Sequence, residues 1–309
     1  MKRILVTGGA GFIGTNLVRK LLENGNYVIV VDNFVTGKKS NLDDLEGNKN
    51  FRLYEHDITM PFDFGGIDEI YHLASIASVY HYLRKPIETL KVGSIGTLNV
   101  LDYSRRYKAR LLFTSTSEVY GDPEVHPQDE TYRGNVNPIG PRSCYDESKR
   151  FGEALVMAYH RVYNLDTRIA RIFNTYGPYM DVNDGRIFPN LISQALKNQP
   201  LTIYGDGSQT RSYCYVDDTV EALIKLMETD FHLPVNIGNP EEFTILETAN
   251  ILCEELNIEK KFVFLPLPED DPMRRRPDIT RAKEILKWEP KTSLREGLKK
   301  TIEWFKKLV

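Results

Sequence analysis

The 309-residue sequence is poor in cysteine, in net charge and in long apolar runs. Its cysteines, Cys144, Cys214 and Cys253, are far apart and odd in number. That excludes a disulfide framework and a zinc-type ligand spacing, and points to a reducing compartment. The six histidines form no metal-ligand pattern, so no metal is expected, and His72, inside the apolar run "EIYHLA", reads as a core histidine. A formal net charge of -3 with 27% charged residues gives no broad basic field, which argues against a chain built to grip nucleic acid. The apolar runs are only strand-length and the opening "MKRILVTGGAG" holds no signal-type apolar region, so a soluble, cytoplasmic chain is expected.

What is present is alternation. β-branched runs, "RILVTG", "YVIVVD", "FRLYEHD", "EIYHLA" and "RLLFTS", are interleaved with helical stretches over 12–23 and 87–105, and a helix over 145–163 leads into "TRIARIF". Near-continuous apolar strands separated by helices predict a parallel sheet covered on both faces, a doubly wound α/β fold of the Rossmann type. Beyond Phe173 the texture changes to "NTYGPYMDVNDGRIFPN" and "YGDGSQTRSY", loops dense in Gly, Asn, Asp and aromatics of the kind that display binding residues. A helix over 187–197 lies between them. "DDTVEALIKLMET" and "VNIGNP" read as a return to the sheet, followed by a helix over 244–256 and a charged C-terminal helix. The expected division is a nucleotide-binding domain over 1–172 and 212–238 and a smaller, discontinuous α+β lobe over 173–211 and 239–309.

"LVTGGAGFIG" places Gly8, Gly9, Gly11 and Gly14 directly after the first strand and at the start of a helix. Lacking Cβ atoms, such a turn bends tightly and lets a pyrophosphate approach the free N–H groups of the helix N-terminus, the context a dinucleotide fingerprint requires. Asp32, ending the second strand, is placed to accept from the adenosine ribose hydroxyls, and an acid there repels a 2′-phosphate, which favours NAD over NADP. Lys38 and Lys39 read as solvated loop lysines.

In "SCYDESKR" Tyr145 stands four residues before Lys149, on one helix face, as either a surface pair or a proton-handling pair. An adjacent ammonium and a cationic nicotinamide would both favour the phenolate and make Tyr145 a usable base, Lys149 supplying the first charge. "LLFTSTSEVYG" puts Thr116, Ser117 and Glu118 just past a strand's C-terminal end, the edge where open α/β sheets bind ligands. Glu118 is a site carboxylate or a capping one.

Together the glycine turn, the hydroxyl-bearing strand end and Tyr-x-x-x-Lys resemble the extended short-chain dehydrogenase/reductase family that acts on nucleotide sugars. The stretch "TSTSEVYGDPEVHPQDETYRGNVNPIGPRSCYDESKR", with "RIARIFNTYGPYM", "YGDGSQTRSY" and "DDPMRRRPDI", is similar to the UDP-glucuronate decarboxylases, or UDP-xylose synthases. The likeness runs almost the whole length. It implies Tyr145 as acid/base, Lys149 as the residue that anchors the nicotinamide ribose and tunes Tyr145, and Thr116, Glu118 and Arg275 at the sugar. It implies an NAD site lined, beyond Gly8, Gly11, Gly14 and Asp32, by Phe12, Ile13, Asn33, Phe34, Thr36, Gly37, Asp57, Ile58, Leu73 and Ser75. For the UDP-sugar it implies Lys91, Asn174, Arg186, Tyr204, Gln209, Arg211 and Arg275, arginine being suited to bidentate recognition of phosphate or carboxylate. It also implies a homodimer through the helices over 87–105 and 145–163, where apolar Leu155 and Val156 serve either a partner or the sheet.

The implied reaction is oxidation at C4 of UDP-glucuronate, loss of carbon dioxide from the 4-ketone, and hydride return to give UDP-xylose. Ser117 stands where a sugar 4,6-dehydratase carries an aspartate, and Glu118 departs from the acid-free turn of ordinary UDP-galactose 4-epimerases. The chain also departs from the decarboxylase pattern, with Ile76 and Val79 in place of prolines and Val92 and Gly93 in place of Thr and Asn. Those changes leave open a UDP-sugar 4-epimerase, on UDP-glucuronate or UDP-glucose. A non-catalytic module binding NAD or a nucleotide sugar is the reading from another class.

Overall fold

The computed structural model describes residues 1–267 and 273–309. Asp270 and Asp271, which open the stretch "DDPMRRRPDI", lie outside the described residues. The first half runs β1 (Arg3–Thr7), α1 (Phe12–Glu23), β2 (Tyr27–Asp32), β3 (Phe51–Glu55), β4 (Glu69–His72), α2 (Val79–Tyr82), α3 (Pro86–Lys91), α4 (Thr97–Tyr107) and β5 (Arg110–Thr116). There follow α5 (Ser143–Tyr163), β6 (Thr167–Ile172), β7 (Thr175–Tyr176), α6 (Ile187–Leu196), β8 (Leu201–Tyr204), β9 (Thr210–Ser212) and β10 (Cys214–Tyr215). The chain ends with α7 (Val216–Glu228), β11 (Pro234–Ile237), β12 (Glu242–Thr244), α8 (Ile245–Leu256), β13 (Phe262–Leu265), β14 (Arg274–Arg275), α9 (Thr280–Leu286) and α10 (Leu294–Phe305).

Seven strands form one sheet in the order β11-β6-β5-β4-β1-β2-β3, every neighbouring pair parallel. The expected doubly wound sheet is therefore present, and β11 joins it from late in the chain. Strand periodicity explains the continuous apolar runs, since successive side chains face opposite sides and both sides are covered. Ile4 and Val6 of β1 and Val28 and Val30 of β2 pack with Leu17, Val18 and Leu21 of α1. Leu5, Ile29 and Val31 pack on the other face with Val100 and Leu101 of α4 and Val156 of α5. Each such fully buried aliphatic side chain contributes about 1.5–3 kcal/mol. Strand order reverses between β1 and β4, the switch point at which these sheets open a crevice at their C-terminal edge. Smaller sheets, β12-β9-β14 and β13-β8, stand apart from it.

The helix expected over 87–105 is interrupted. Val92–Gly96 forms a π turn between α3 and α4, a looser winding that often marks functional sites. Its glycines meet close neighbours: a Cβ at Gly93 would lie 2.5 Å from Ser148 Cβ, and one at Gly96 would lie 2.8 Å from Ile58 Cδ1. On α5, Val156 is fully buried against the sheet and Leu155 packs beside it, so these two serve the core. The outward apolar residues of this helical layer include Phe151 and Val162, with Ile87, Leu90 and Leu98. Among the described residues no helix is long and apolar enough to cross a membrane.

Candidate active site

A cavity of about 810 Å³ follows the C-terminal edge of the sheet. At the glycine turn each missing side chain has a separate cause. Gly8 sits at φ +73°, and a Cβ there would lie 2.7 Å from the Ala74 backbone. At Gly14 a Cβ would lie 2.2 Å from Gly8 O, so the helix could not pack on the turn. At Gly11 a Cβ would meet only Gly8 O, at 3.3 Å, and Gly11 lines the cavity. The space it leaves is ligand space. Gly11 caps α1 without any side-chain cap and no acid stands in the first turn, which leaves the helix N-terminus to an anion.

Asp32 is buried at the end of β2. Its Oδ2 accepts from Ala10 N at 3.0 Å and its Oδ1 from Phe34 N at 2.9 Å, which aims the carboxylate while leaving lone pairs for ribose hydroxyls. Burial pushes its pKa up, opposed by those amide bonds. Gly11 and Asp32 together fit the pyrophosphate and adenosine ribose of a dinucleotide.

The hydroxyl end begins where β5 stops. Thr116 caps the turn Ser117–Tyr120, its Oγ1 accepting from Glu118 N at 3.2 Å, and its hydroxyl faces Tyr145. Tyr145 and Lys149 sit on the inward face of α5, with Lys149 Nζ 5.9 Å from the Tyr145 ring centroid. Tyr82 stacks on Tyr145 at 5.3 Å with the rings 3° from parallel, which fixes the plane of the phenol. Burial pushes Tyr145 up to about 12 against the downward pull of the Thr116 hydroxyl. It also pulls Lys149 down to about 7, while its ammonium donates to Thr114 O at 2.8 Å. In the protein by itself burial outweighs the neighbouring ammonium, and the other charge expected to favour the phenolate, a cationic nicotinamide, would come with the bound cofactor.

Glu118 is held from both sides, Arg275 donating to its Oε1 and Arg142 to its Oε2. Burial raises its carboxyl, but the two guanidinium groups overcome that and hold it at about 2. Arg275 is 2% exposed and also donates to Gly121 O at 2.7 Å. β14 pairs with β9 so that Arg275 stands opposite Arg211, which adds a further cation to the wall. The local excess of positive charge suits an anionic sugar nucleotide.

A model of the GDP-mannose 4,6 dehydratase family matches residues 5–301. The chain is 54% identical over 307 residues to UDP-glucuronic acid decarboxylase 4 of Arabidopsis thaliana, covering 99% of this chain and 69% of that protein. It belongs to that family, among the UDP-glucuronic acid decarboxylases. Solved structures agree in fold. A UDP-glucose 4-epimerase of Thermotoga maritima, crystallised with UDP-glucose, superposes with a TM-score of 0.92 at 36% identity, covering 99% of each chain. A UDP-glucuronic acid 4-epimerase from Bacillus cereus, in complex with UDP-glucuronic acid and NAD, gives 0.88 at 31% identity, covering 99% of this chain and all of that one. The cofactor of the family enzyme is NAD.

Against this family background, the structure brings the candidate residues to one cavity with a single exception. Gly8, Gly11, Phe12, Ile13, Gly14, Asp32, Asn33, Thr36, Gly37, Asp57, Ile58, Leu73 and Ser75 line it, as do Lys91, Asn174, Arg186, Tyr204, Gln209, Arg211 and Arg275. Phe34 does not; its backbone is left-handed at φ 55° and its ring packs against the core, so only its amide serves the site, through Asp32. Arg186 is paired, its Nη2 donating to Asp184 Oδ2 at 2.6 Å. Gln209 is turned to the backbone, donating to Tyr204 O at 2.6 Å. Of the departures, Ile76, Val79 and Val92 line the cavity, whereas Gly93 faces Ser148. Sequence reasoning assigned no role to Arg142, Tyr82 or Asp184. Arg142 had a local signal, standing three residues before Tyr145 in "PRSCY". His72 is satisfied on both ring nitrogens, by Thr7 Oγ1 at 2.7 Å and Thr97 Oγ1 at 3.1 Å, consistent with a core role.

Proposed function

We propose that this enzyme converts UDP-glucuronate to UDP-xylose and carbon dioxide. The observation that carries the reading is the ionised Glu118 between Arg275 and Arg142, beside Thr116 and Tyr145. With two guanidinium groups to one carboxylate the cluster keeps a net positive charge in the cavity wall, which suits a hexuronate carboxylate and is of no use to a neutral hexose. The relatives named as UDP-glucuronic acid decarboxylases support the same substrate.

In this reading the glycine turn and the first amides of α1 take the pyrophosphate, Asp32 the adenosine ribose and Lys149 the nicotinamide ribose. NAD, when bound, would supply the acceptor for the hydride of sugar C4 and give it back at the end of the cycle, when Tyr145 returns the proton to the C4 oxygen. Tyr145 Oη takes the proton of the C4 hydroxyl while Thr116 Oγ1 holds that oxygen. With a ketone at C4, the C6 carboxylate is β to a carbonyl, and its loss leaves an electron pair that delocalises onto the C4 oxygen. Tyr145 and Thr116 donate to that oxygen as its charge develops. Glu118, held near 2, stays a carboxylate at neutral pH. It is therefore not itself the proton donor to C5, which takes its proton from solvent.

Incubation with UDP-glucuronate and NAD followed by mass analysis tests this. The product should be lighter by one carbon dioxide. A product of unchanged mass would make the enzyme a 4-epimerase, and binding without any turnover would make it a non-catalytic module. We also propose a homodimer through the outward residues Ile87, Leu90, Leu98, Phe151 and Val162; a monomer mass at micromolar concentration in sedimentation equilibrium would end that proposal. The cysteines, all free and buried, support a cytoplasmic setting, which fractionation of the source cells would check.

A further inference from the structure

The loop that follows β7 crosses back over the glycine turn and is tied down on the far side of the cavity. Asn16 of α1 donates through Nδ2 to Pro178 O at 3.1 Å and to Phe12 O at 2.9 Å, so one side chain joins the first turn of α1 to the loop. Tyr179, held at φ 71°, lies 4.3 Å from the ring of Trp304 on α10 and has the Arg19 guanidinium of α1 4.9 Å from its centroid. Met180 is buried and lines the cavity. The next residue reaches furthest: Asp181 Oδ1 lies 3.0 Å from Lys38 Nζ. Lys38 is itself held to the glycine turn, its amide donating to Ala10 O at 3.1 Å. Both Lys38 and Asp181 line the cavity.

We propose that the segment from Pro178 to Asp181 is a strap that retains the dinucleotide, and that the Lys38–Asp181 ion pair is its latch. The glycine turn forms one side of the pyrophosphate space and the strap forms the other. A cofactor seated there leaves only when the strap lifts. The Asn16 and Tyr179 ties hold the strap to α1 and α10, and the latch is the tie whose two partners both line the cavity. Lys38 thus has a partner and a task in place of the solvated role its sequence context suggests. The inference rests on the reading that one NAD serves the whole cycle, and its test uses no sugar nucleotide, so it stands or falls separately from the decarboxylase assignment.

The test is cofactor release. The full-length enzyme is loaded with NADH, chased with excess NAD, and the loss of bound-NADH fluorescence gives the dissociation rate. Asp181→Asn and Lys38→Met should each speed release roughly two- to five-fold, the effect of one partly exposed ion pair. The doubly exchanged variant, Lys38→Asp with Asp181→Lys, should restore slow release. Added salt should speed release from the parent enzyme and leave the Asp181→Asn variant unaffected. Release unchanged in both single variants would overturn the latch. So would acceleration by Lys38→Met alone, or an exchanged pair that fails to restore retention, because either outcome means that Lys38 acts on the cofactor directly.

Discussion

Replacing Glu118 by glutamine keeps the shape of the side chain and removes the charge on which Arg142 and Arg275 converge. The magnitude follows from two routes. Lowering the carboxyl from 4.5 to about 2 corresponds, at about 1.36 kcal/mol per pH unit, to about 3 kcal/mol of folding stability. Removing one partner of a buried ion pair costs about 3–5 kcal/mol, and the three side chains are only 2–14% exposed, so solvent screening takes little away. The sign is that of a depressed acid: the contribution is complete above the ordinary carboxylate range and disappears as pH falls through about 2. Glu118→Gln should therefore lose about 3 kcal/mol at pH 7 in chemical denaturation of the NAD-free protein. At roughly 2 °C per kcal/mol for a chain of this size, its melting temperature should fall by about 6 °C. The difference from the parent protein should shrink as both are taken from pH 5 toward pH 2. A variant that melts within a degree of the parent at pH 7, or a gap that stays constant on acidification, would refute the argument that Glu118 is the ionised centre of the cluster.

Tyr145→Phe keeps the ring that stacks on Tyr82 and loses the proton carrier, so sugar-nucleotide affinity by calorimetry should hold while turnover falls about 10²- to 10⁴-fold; unchanged turnover would remove the proposed base. Gly14→Ala should fail to fold or melt far lower, since its Cβ would lie 2.2 Å from Gly8 O. Gly11→Ala should fold and lose NAD affinity in titration, and equal behaviour of the two variants would contradict their separate roles. Lys149 is lowered to about 7 by burial, so its desolvation weakens the NAD-free fold increasingly as pH falls from about 10 to 7 and fully below that. Lys149→Met should accordingly melt higher than the parent at pH 7 while losing activity, and a lower melting temperature would show that the ammonium stabilises the fold.

The sheet was legible because its information is local: β1 and β2 each carry an unbroken apolar run, and only a strand covered on both faces uses one. The glycine turn was legible for the same reason, with strand, turn, helix start and Asp32 all inside thirty-two residues. The partners of the catalytic groups were not. Arg275 meets Glu118 across 157 positions of chain, and its place was readable only through family likeness. Tyr82 stacks on Tyr145 from a single short turn of helix that has no periodicity to detect. The π turn escaped because apolar spacing over 87–105 is satisfied by a helix whether or not it loosens in the middle; Gly93 and Gly96 were the available sign. Which face of α5 meets the sheet stayed open because Val156 and Phe151 are equally apolar, and only the position of the sheet distinguishes them.

The contact of Gly93 with Ser148 links two helical stretches that a protein engineer would treat as separate. Position 93 is one of the departures from the decarboxylase pattern, and position 148 lies between the proposed base and its lysine. With 2.5 Å between a Cβ at one and the Cβ of the other, the two sites share one allotment of volume. A side chain can be restored at 93 only if the Ser148 side chain or its helix gives way, and glycine at 148 would remove the two nearest atoms. Grafted alone, it would lever the base-bearing helix outward and misalign the phenol without any catalytic letter having been changed.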